Sequence, residues 1–319
     1  MKLSTEVKIK PSQHQISYQS RVLLLGSCFA NNMGEKLQYY EFDAVVNPLG
    51  IIFNPISIVN LIERALASRF FIIDDLVYHN EQWHCFETHS EMSHSNQEIC
   101  LHNLNEKLIA LQTELLQAAH LIITLGSAWI YKQKSSQKVV ANCHKIPQNQ
   151  FEKSILSIEE IQDTLNGMLK KLHQKNPNIQ IIWTISPVRH QKDGFIENQR
   201  SKSHLFVALH AVLDLKKDSN QYYFPSYELL IDELRDYRFY ANDMLHPSEI
   251  AIEFIWQKFK ENVINSNSFH LMDQIRTFNL SKNHVPFNPK SDKHKLFLEV
   301  LNQKKGEIQK QKNLFKQKN

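Results

Sequence analysis

An α/β fold built on a five-stranded parallel sheet with helices on both faces is predicted by three features of the sequence. Short β-rich apolar runs alternate with longer stretches whose apolar residues recur every three or four positions, the pattern of strands joined by helical crossovers. The runs LIITL (residues 121–125) and IQIIWTI (residues 179–185) are apolar almost throughout, as strands covered on both faces are. Seven glycines in the whole chain leave few places for tight turns, so a glycine that follows a strand stands out.

Taken in order, the strands are expected at Arg21–Leu25, Phe42–Val46, Leu121–Leu125, Ile179–Ile185 and Gln221–Phe224. Helical periodicity is found at Asn31–Tyr39, Pro55–Ala67, Asn103–Ala119, Ile158–Gln174, Gln199–Lys216 and Pro247–Val263. Pro247 suits the first turn of the last of these. Between the second and third strands the helical period breaks, and Phe70–Glu87 reads as a hairpin around His79-Asn80-Glu81-Gln82. Beyond Asn265 the pattern weakens. Pro286 and Pro289 set off a Lys/Gln-rich segment from Lys293 to Asn319, expected as an appended helix with a frayed tail. The chain therefore divides into a lead-in (1–20), a main domain (21–265) and a linker with a C-terminal helix (266–319).

Composition narrows the function classes. The 319 residues are 42% hydrophobic, enough for an ordinary core, and no run approaches the roughly 18–20 consecutive apolar residues of a membrane span. The net charge of +4 is concentrated in Gln303–Asn319, where six lysines face the single acid Glu307. The rest of the chain is close to neutral, which argues against a basic nucleic-acid-binding face. The same tail could instead dock the domain on an acidic partner or membrane surface. Four cysteines without CxxC spacing indicate neither a disulfide framework nor a thiolate zinc site, and the polar N-terminus lacks a signal's apolar core. The lipoprotein-like Leu25-Gly26-Ser27-Cys28 follows too short an apolar run to be one. A cytoplasmic location with reduced thiols is expected.

The chemistry-bearing residues gather at strand ends. The first strand runs into Gly26-Ser27-Cys28-Phe29-Ala30 and then a helix, where a serine would lie beside backbone N–H groups able to hold an oxyanion; the same serine could simply cap the helix. Asp243 and His246, three residues apart before the last helix, can bring carboxylate and imidazole together. They could equally be a turn aspartate and a surface histidine.

Several ordered motifs bear on the choice. GSCFA (26–30), NPLGIIFNP (47–55), TLGSAWIY (124–131), SPVRH (186–190) and YANDMLHPS (240–248) resemble the GSCFA family, related to SGNH/GDSL-like hydrolases, over roughly Arg21–Phe259. The resemblance implies a flavodoxin-like three-layer αβα fold. It implies Ser27 as nucleophile, His246 as general base and Asp243 as the group that orients it, with oxyanion donors from the N–H groups of Ser27 and Gly50. Where such hydrolases carry an asparagine after the third strand, this chain has Gly126-Ser127-Ala128-Trp129, so Ser127, Asn54 or Asn142 is expected to substitute. By analogy with relatives alone, the implied reaction is hydrolysis or transfer of a small acyl ester on a saccharide, without metal or cofactor. The alternative is a binding module for a saccharide or acylated ligand on a weakened hydrolase fold.

Other residues complete the expectations. Arg189 and His190 follow the fourth strand, where they could bind a substrate carboxylate or phosphate or form a structural ion pair. His144 lies on the long loop after the third strand with Asn142, and Trp129 could supply an aromatic wall for a sugar. Cys28 could be activated by the helix N-terminus or serve as a small buried hydrophobe. His79, His84, His89 and His94 recur every five residues, but on a hairpin that spacing alternates faces and does not build a metal site.

Overall fold

The computed structural model describes residues 5–215, 220–282, 284 and 287–317; Lys216, Pro286, Lys318 and Asn319, which belong to expected segments, lie outside them. The elements in chain order are β1 (Arg21–Gly26), α1 (Cys28–Tyr39), β2 (Asp43–Val46), α2 (Pro55–Leu66), β3 (Leu76–His79), β4 (Gln82–Cys85), α3 (Gln97–Gln117) and β5 (His120–Leu125). They continue as β6 (Trp129–Gln133), β7 (Val139–Val140), β8 (Phe151–Ile155), α4 (Ile158–Lys175), β9 (Gln180–Ile185), α5 (Phe195–Leu215) and β10 (Gln221–Tyr223). A short α6 (Ser226–Glu228) runs on as a π-helix (Leu229–Leu234), followed by α7 (Glu249–Val263), α8 (Phe269–Lys282) and α9 (Asp292–Gln317).

The main sheet has five parallel strands in the order β10-β9-β5-β1-β2, the flavodoxin-like order, with the strand sequence reversing between β1 and β5. Alternation along the strands sorts the core into two halves. Leu23, Leu25, Leu121, Ile123, Ile181 and Trp183 pack toward α2, α3, α4 and α5. Val22, Leu24, Ile122 and Ile182 pack toward α1, α7 and α8. The three-layer αβα architecture expected from the sequence is therefore present.

Capping explains where helices begin. Asn54 precedes Pro55, the first residue of α2, and takes the Ser57 N–H at 2.8 Å; Ser157 and Glu160 form a reciprocal capping box on α4. Helix α3 starts at Gln97, six residues ahead of the expected Asn103, because Asn96 caps it. The last domain helix does not begin at Pro247: Ser248 caps it, and Pro247 pairs instead with Tyr240 as a β-bridge.

The hairpin forms where expected, β3 and β4 joined through Asn80 and Glu81, both at positive φ (46° and 60°) as a tight two-residue turn requires. Two regions differ from the expectation. The stretch after β5, expected as a long loop, folds as an antiparallel sheet in the order β7-β6-β8, in which β6 pairs with β8 over five residues and with the edge strand β7 over only two, too short a run for sequence periodicity to register. The segment after Asn265 is not a plain linker, since α8 buries Leu271, Met272 and Ile275 against α7. Helix α9 joins the same cluster through Ile308, with Lys312 paired to Glu41 at 2.9 Å. The lead-in also enters the core: Ile16 is fully buried and bridges Ile264.

Candidate active site

The carboxyl end of β1 is held open by glycine. Gly26 has φ +135°, and a Cβ there would lie 2.2 Å from the Thr124 carbonyl oxygen of β5. Its N–H is donated to Asn47 Oδ1 at 2.9 Å, while Asn47 Nδ2 donates to Asn31 Oδ1 at 2.6 Å, so Asn47 pins the turn between β1 and α1. Ser27 follows as the N-cap of α1. Its Oγ accepts the Phe29 N–H at 3.3 Å, its own N–H goes to Thr124 O at 3.2 Å, and the residue is 2% exposed. Cys28 is the first residue of α1 and is partly exposed.

The second half of the site lies on the loop before α7. His246 Nδ1 donates to Asp243 Oδ2 at 2.6 Å, and the other carboxylate oxygen takes the N–H groups of Leu245 and His246 at 2.9 and 3.0 Å. Three hydrogen bonds to one carboxylate favour its anion, and those from the His246 backbone and ring, then the Leu245 N–H, lower Asp243 to about 2. An ionised carboxylate only accepts, so the proton of a neutral imidazole sits on Nδ1 and Nε2 carries the lone pair. That Nε2 has no protein hydrogen bond among the described residues. Helices α1 and α7 pack side by side on one face of the sheet, joined by the 2.6 Å Lys36–Glu253 ion pair, and both begin at the carboxyl edge of the strands. Among the described residues, no hydrogen bond links His246 to Ser27.

Arg189 is a clamp on this loop. Its N–H is donated to Leu245 O at 3.2 Å, its Nη2 donates to Met244 O at 2.8 Å, and its guanidinium lies 4.5 Å from the Tyr240 ring. Among the described residues it forms no ion pair. His190 stacks on Phe53 with ring centroids 5.0 Å apart, and its N–H goes to Asn198.

The other expected residues are engaged elsewhere. The Gly50 N–H is donated to Asn47 O at 2.8 Å within a turn at φ +85°. Asn54 is occupied in capping α2. Ser127 Oγ accepts the Trp129 N–H at 3.0 Å and meets Ser201 Oγ at 3.1 Å. Asn142 accepts the His144 N–H, and His144 Nε2 donates to Cys85 O at 2.7 Å while its ring stacks on His84, tying this segment to the hairpin. Trp129 donates its Nε1–H to Glu197 O, and Lys153 covers its face at 4.6 Å. Of the evenly spaced histidines, His84 bonds Ser93 and the carbonyl of His79; no cluster of His, Cys, Asp and Glu among the described residues could hold a metal.

Lys202 lies outside every sequence motif that marks the site. It is fully buried on α5, and its Nζ donates to Gly126 O and Ser186 O, each at 2.7 Å, just past the ends of β5 and β9. Burial pushes its ammonium down to about 7 from the ordinary 10.5. The signal was available, since Lys202 stands on the apolar stripe Leu205, Leu209 and Val212 of its helix. A separate cavity of about 700 Å³, lined in part by Arg64, Asp75, Glu87 and Lys138, shares no residue with the Asp243–His246 loop.

None of the curated proteins matches this chain. The model of the GSCFA family matches residues 21–259, which start at β1 and end within α7, so the match takes in the glycine turn, the Arg189 clamp and the Asp243–His246 loop together. With well over half of its length inside that match, the chain belongs to the GSCFA family.

Proposed function

We propose that this protein is an acyl-transfer enzyme that takes an acyl group from an ester onto one of its own side chains and passes it to water or to a hydroxyl acceptor. The observation that carries this is the 2.6 Å Asp243–His246 pair, with its carboxylate anchored by two backbone N–H groups and its Nε2 left open. Such a pair accepts a proton from a nucleophile and returns it to a leaving alkoxide. The nucleophile comes from the turn between β1 and α1, where the resemblance places Ser27. The order of strand-end turn, Asp-x-x-His loop and the helix that follows it, α7, resembles that of SGNH-type hydrolases, and this resemblance supports the same chemistry here. By the same analogy, the ester is an O-acyl group on a saccharide.

Hydrolysis of a short 4-nitrophenyl ester tests the assignment. His246→Ala should lower kcat/KM by roughly 100-fold or more with Tm unchanged. Equal trace turnover by both proteins would overturn it.

One observation favours the alternative of a binding module on the same fold: the N–H of Gly50 and the side chains of Asn54 and Ser127 already have partners, which leaves few donors for an oxyanion. The same assay decides between the two.

A further inference from the structure

We propose that the Cys28 thiol, not the Ser27 hydroxyl, is the nucleophile that the Asp243–His246 pair serves. This rests on the acyl-transfer function proposed above and names the atom that carries the acyl group.

Ser27 is spent on structure. At 2% exposure, with its oxygen on the Phe29 N–H and its N–H on Thr124 O, it holds the first turn of α1 to β5. Cys28 stands one residue further on, at the start of α1 and open to solvent in part, whereas Cys85 and Cys100 are buried. Cys28 opens α1 and the Asp243–His246 loop leads into α7, its neighbour on the same face of the sheet, so both stand at the carboxyl edge where Lys202 meets the carbonyls that follow β5 and β9. Lys202 has two carbonyl partners and, among the described residues, no carboxylate, so negative charge developing beside it would stabilise its buried cation. The first backbone N–H groups of α1, those of Cys28 and Phe29, also favour a thiolate. Burial outweighs these effects and holds the resting thiol above its ordinary 9, so the sulfur is protonated near neutrality and needs a base. His246 is that base.

In the reaction, Cys28 Sγ attacks the ester carbonyl carbon, the S–H proton passes to His246 Nε2, and the carbonyl π electrons move onto oxygen. Collapse breaks the C–O bond, and His246 returns the proton to the departing alcohol, leaving a thioester. Water or an acceptor hydroxyl then attacks that carbonyl, loses its proton to His246 and displaces the thiol, which is reprotonated. The Cys28 N–H, the first of α1 and without an intrahelical acceptor, would be the donor to the developing oxyanion.

The test is acid quenching of the full-length protein during turnover of 4-nitrophenyl acetate, followed by tryptic digestion and fragmentation of the Val22–Lys36 peptide, which carries both Ser27 and Cys28. The expected result is an acetyl group on Cys28 that neutral hydroxylamine removes, that Cys28→Ala and Cys28→Ser abolish, and that His246→Ala forms at least 10-fold more slowly. An acetyl group on Ser27 that resists hydroxylamine would overturn the assignment of Cys28 while leaving the acyl-transfer function standing, and an adduct confined to Cys143 would also overturn it. Wild-type protein with neither turnover nor adduct would overturn both. Mapping is done on wild type, so an unstable cysteine variant does not affect the outcome.

Discussion

The guanidinium of Arg189 donates a 2.8 Å hydrogen bond to the carbonyl of Met244, one residue past Asp243 and two before His246. Met244 has φ +58°, so the loop adopts a left-handed turn that a methionine rarely takes unaided. Stacking of the guanidinium on Tyr240, at 4.5 Å, closes the clamp from the other side.

Arg189→Ala should therefore reduce kcat by roughly 10- to 100-fold with a smaller effect on KM, because the loop loses register while the groups that meet substrate stay in place. Arg189→Lys should recover little, since an ammonium cannot reproduce the planar stacking. A KM-dominated defect would mean that Arg189 contacts substrate directly.

Asp243→Asn keeps an oxygen for the two backbone N–H groups but places a neutral amide opposite His246 Nδ1. The imidazolium loses its anionic partner and the ring its enforced tautomer, so turnover of a short ester should fall by about 100- to 10,000-fold at nearly unchanged Tm. Because Asp243 titrates near 2, the wild-type pH–rate profile should show no limb from this carboxylate above about pH 3. A carboxylate-like limb between pH 4 and 5 that disappears in Asp243→Asn would contradict this.

Lys202 links the site to stability. Its folded-state value of about 7 lies below the ordinary 10.5, so between these the unfolded chain binds a proton that the folded one has released. Stability should rise with pH across that window, and the penalty should be complete below about pH 7. Wild type should gain in Tm relative to Lys202→Met between pH 7 and 10; a constant gap over the window would contradict it.

On the acid side, burial holds His120 and His144 at about 4. Their neutral rings contribute stability above the ordinary 6.5 that is lost as pH falls toward 4, on the order of 1–3 kcal/mol each. His144→Gln should flatten the decline in chemical-denaturation stability between pH 6.5 and 4.

Gly26→Ala places a Cβ at 2.2 Å from a backbone oxygen and at φ +135°. A loss of about 2–4 kcal/mol in urea unfolding is expected, because the obstruction is backbone and cannot swing aside.

Five strands, their parallel arrangement and the Asp243–His246 pair were legible in the sequence by itself, because each depends on local periodicity or on residues three positions apart. Continuous apolar runs such as LIITL have one economical use, a strand covered on both faces, and a carboxylate three residues from an imidazole closes its contact within one loop. Tertiary structure decided what distant neighbours supply. The sequence could not show that Ser127 faces Ser201 or that His144 is tied to the hairpin, since each partner is fixed only when separate segments meet. Lys202 is the sharpest case: its spacing put it on the buried face of α5, and only the packed sheet supplied the two carbonyls that receive it. Hydrophobic period is written into neighbouring residues, whereas satisfaction of a buried polar group depends on what folding brings opposite it.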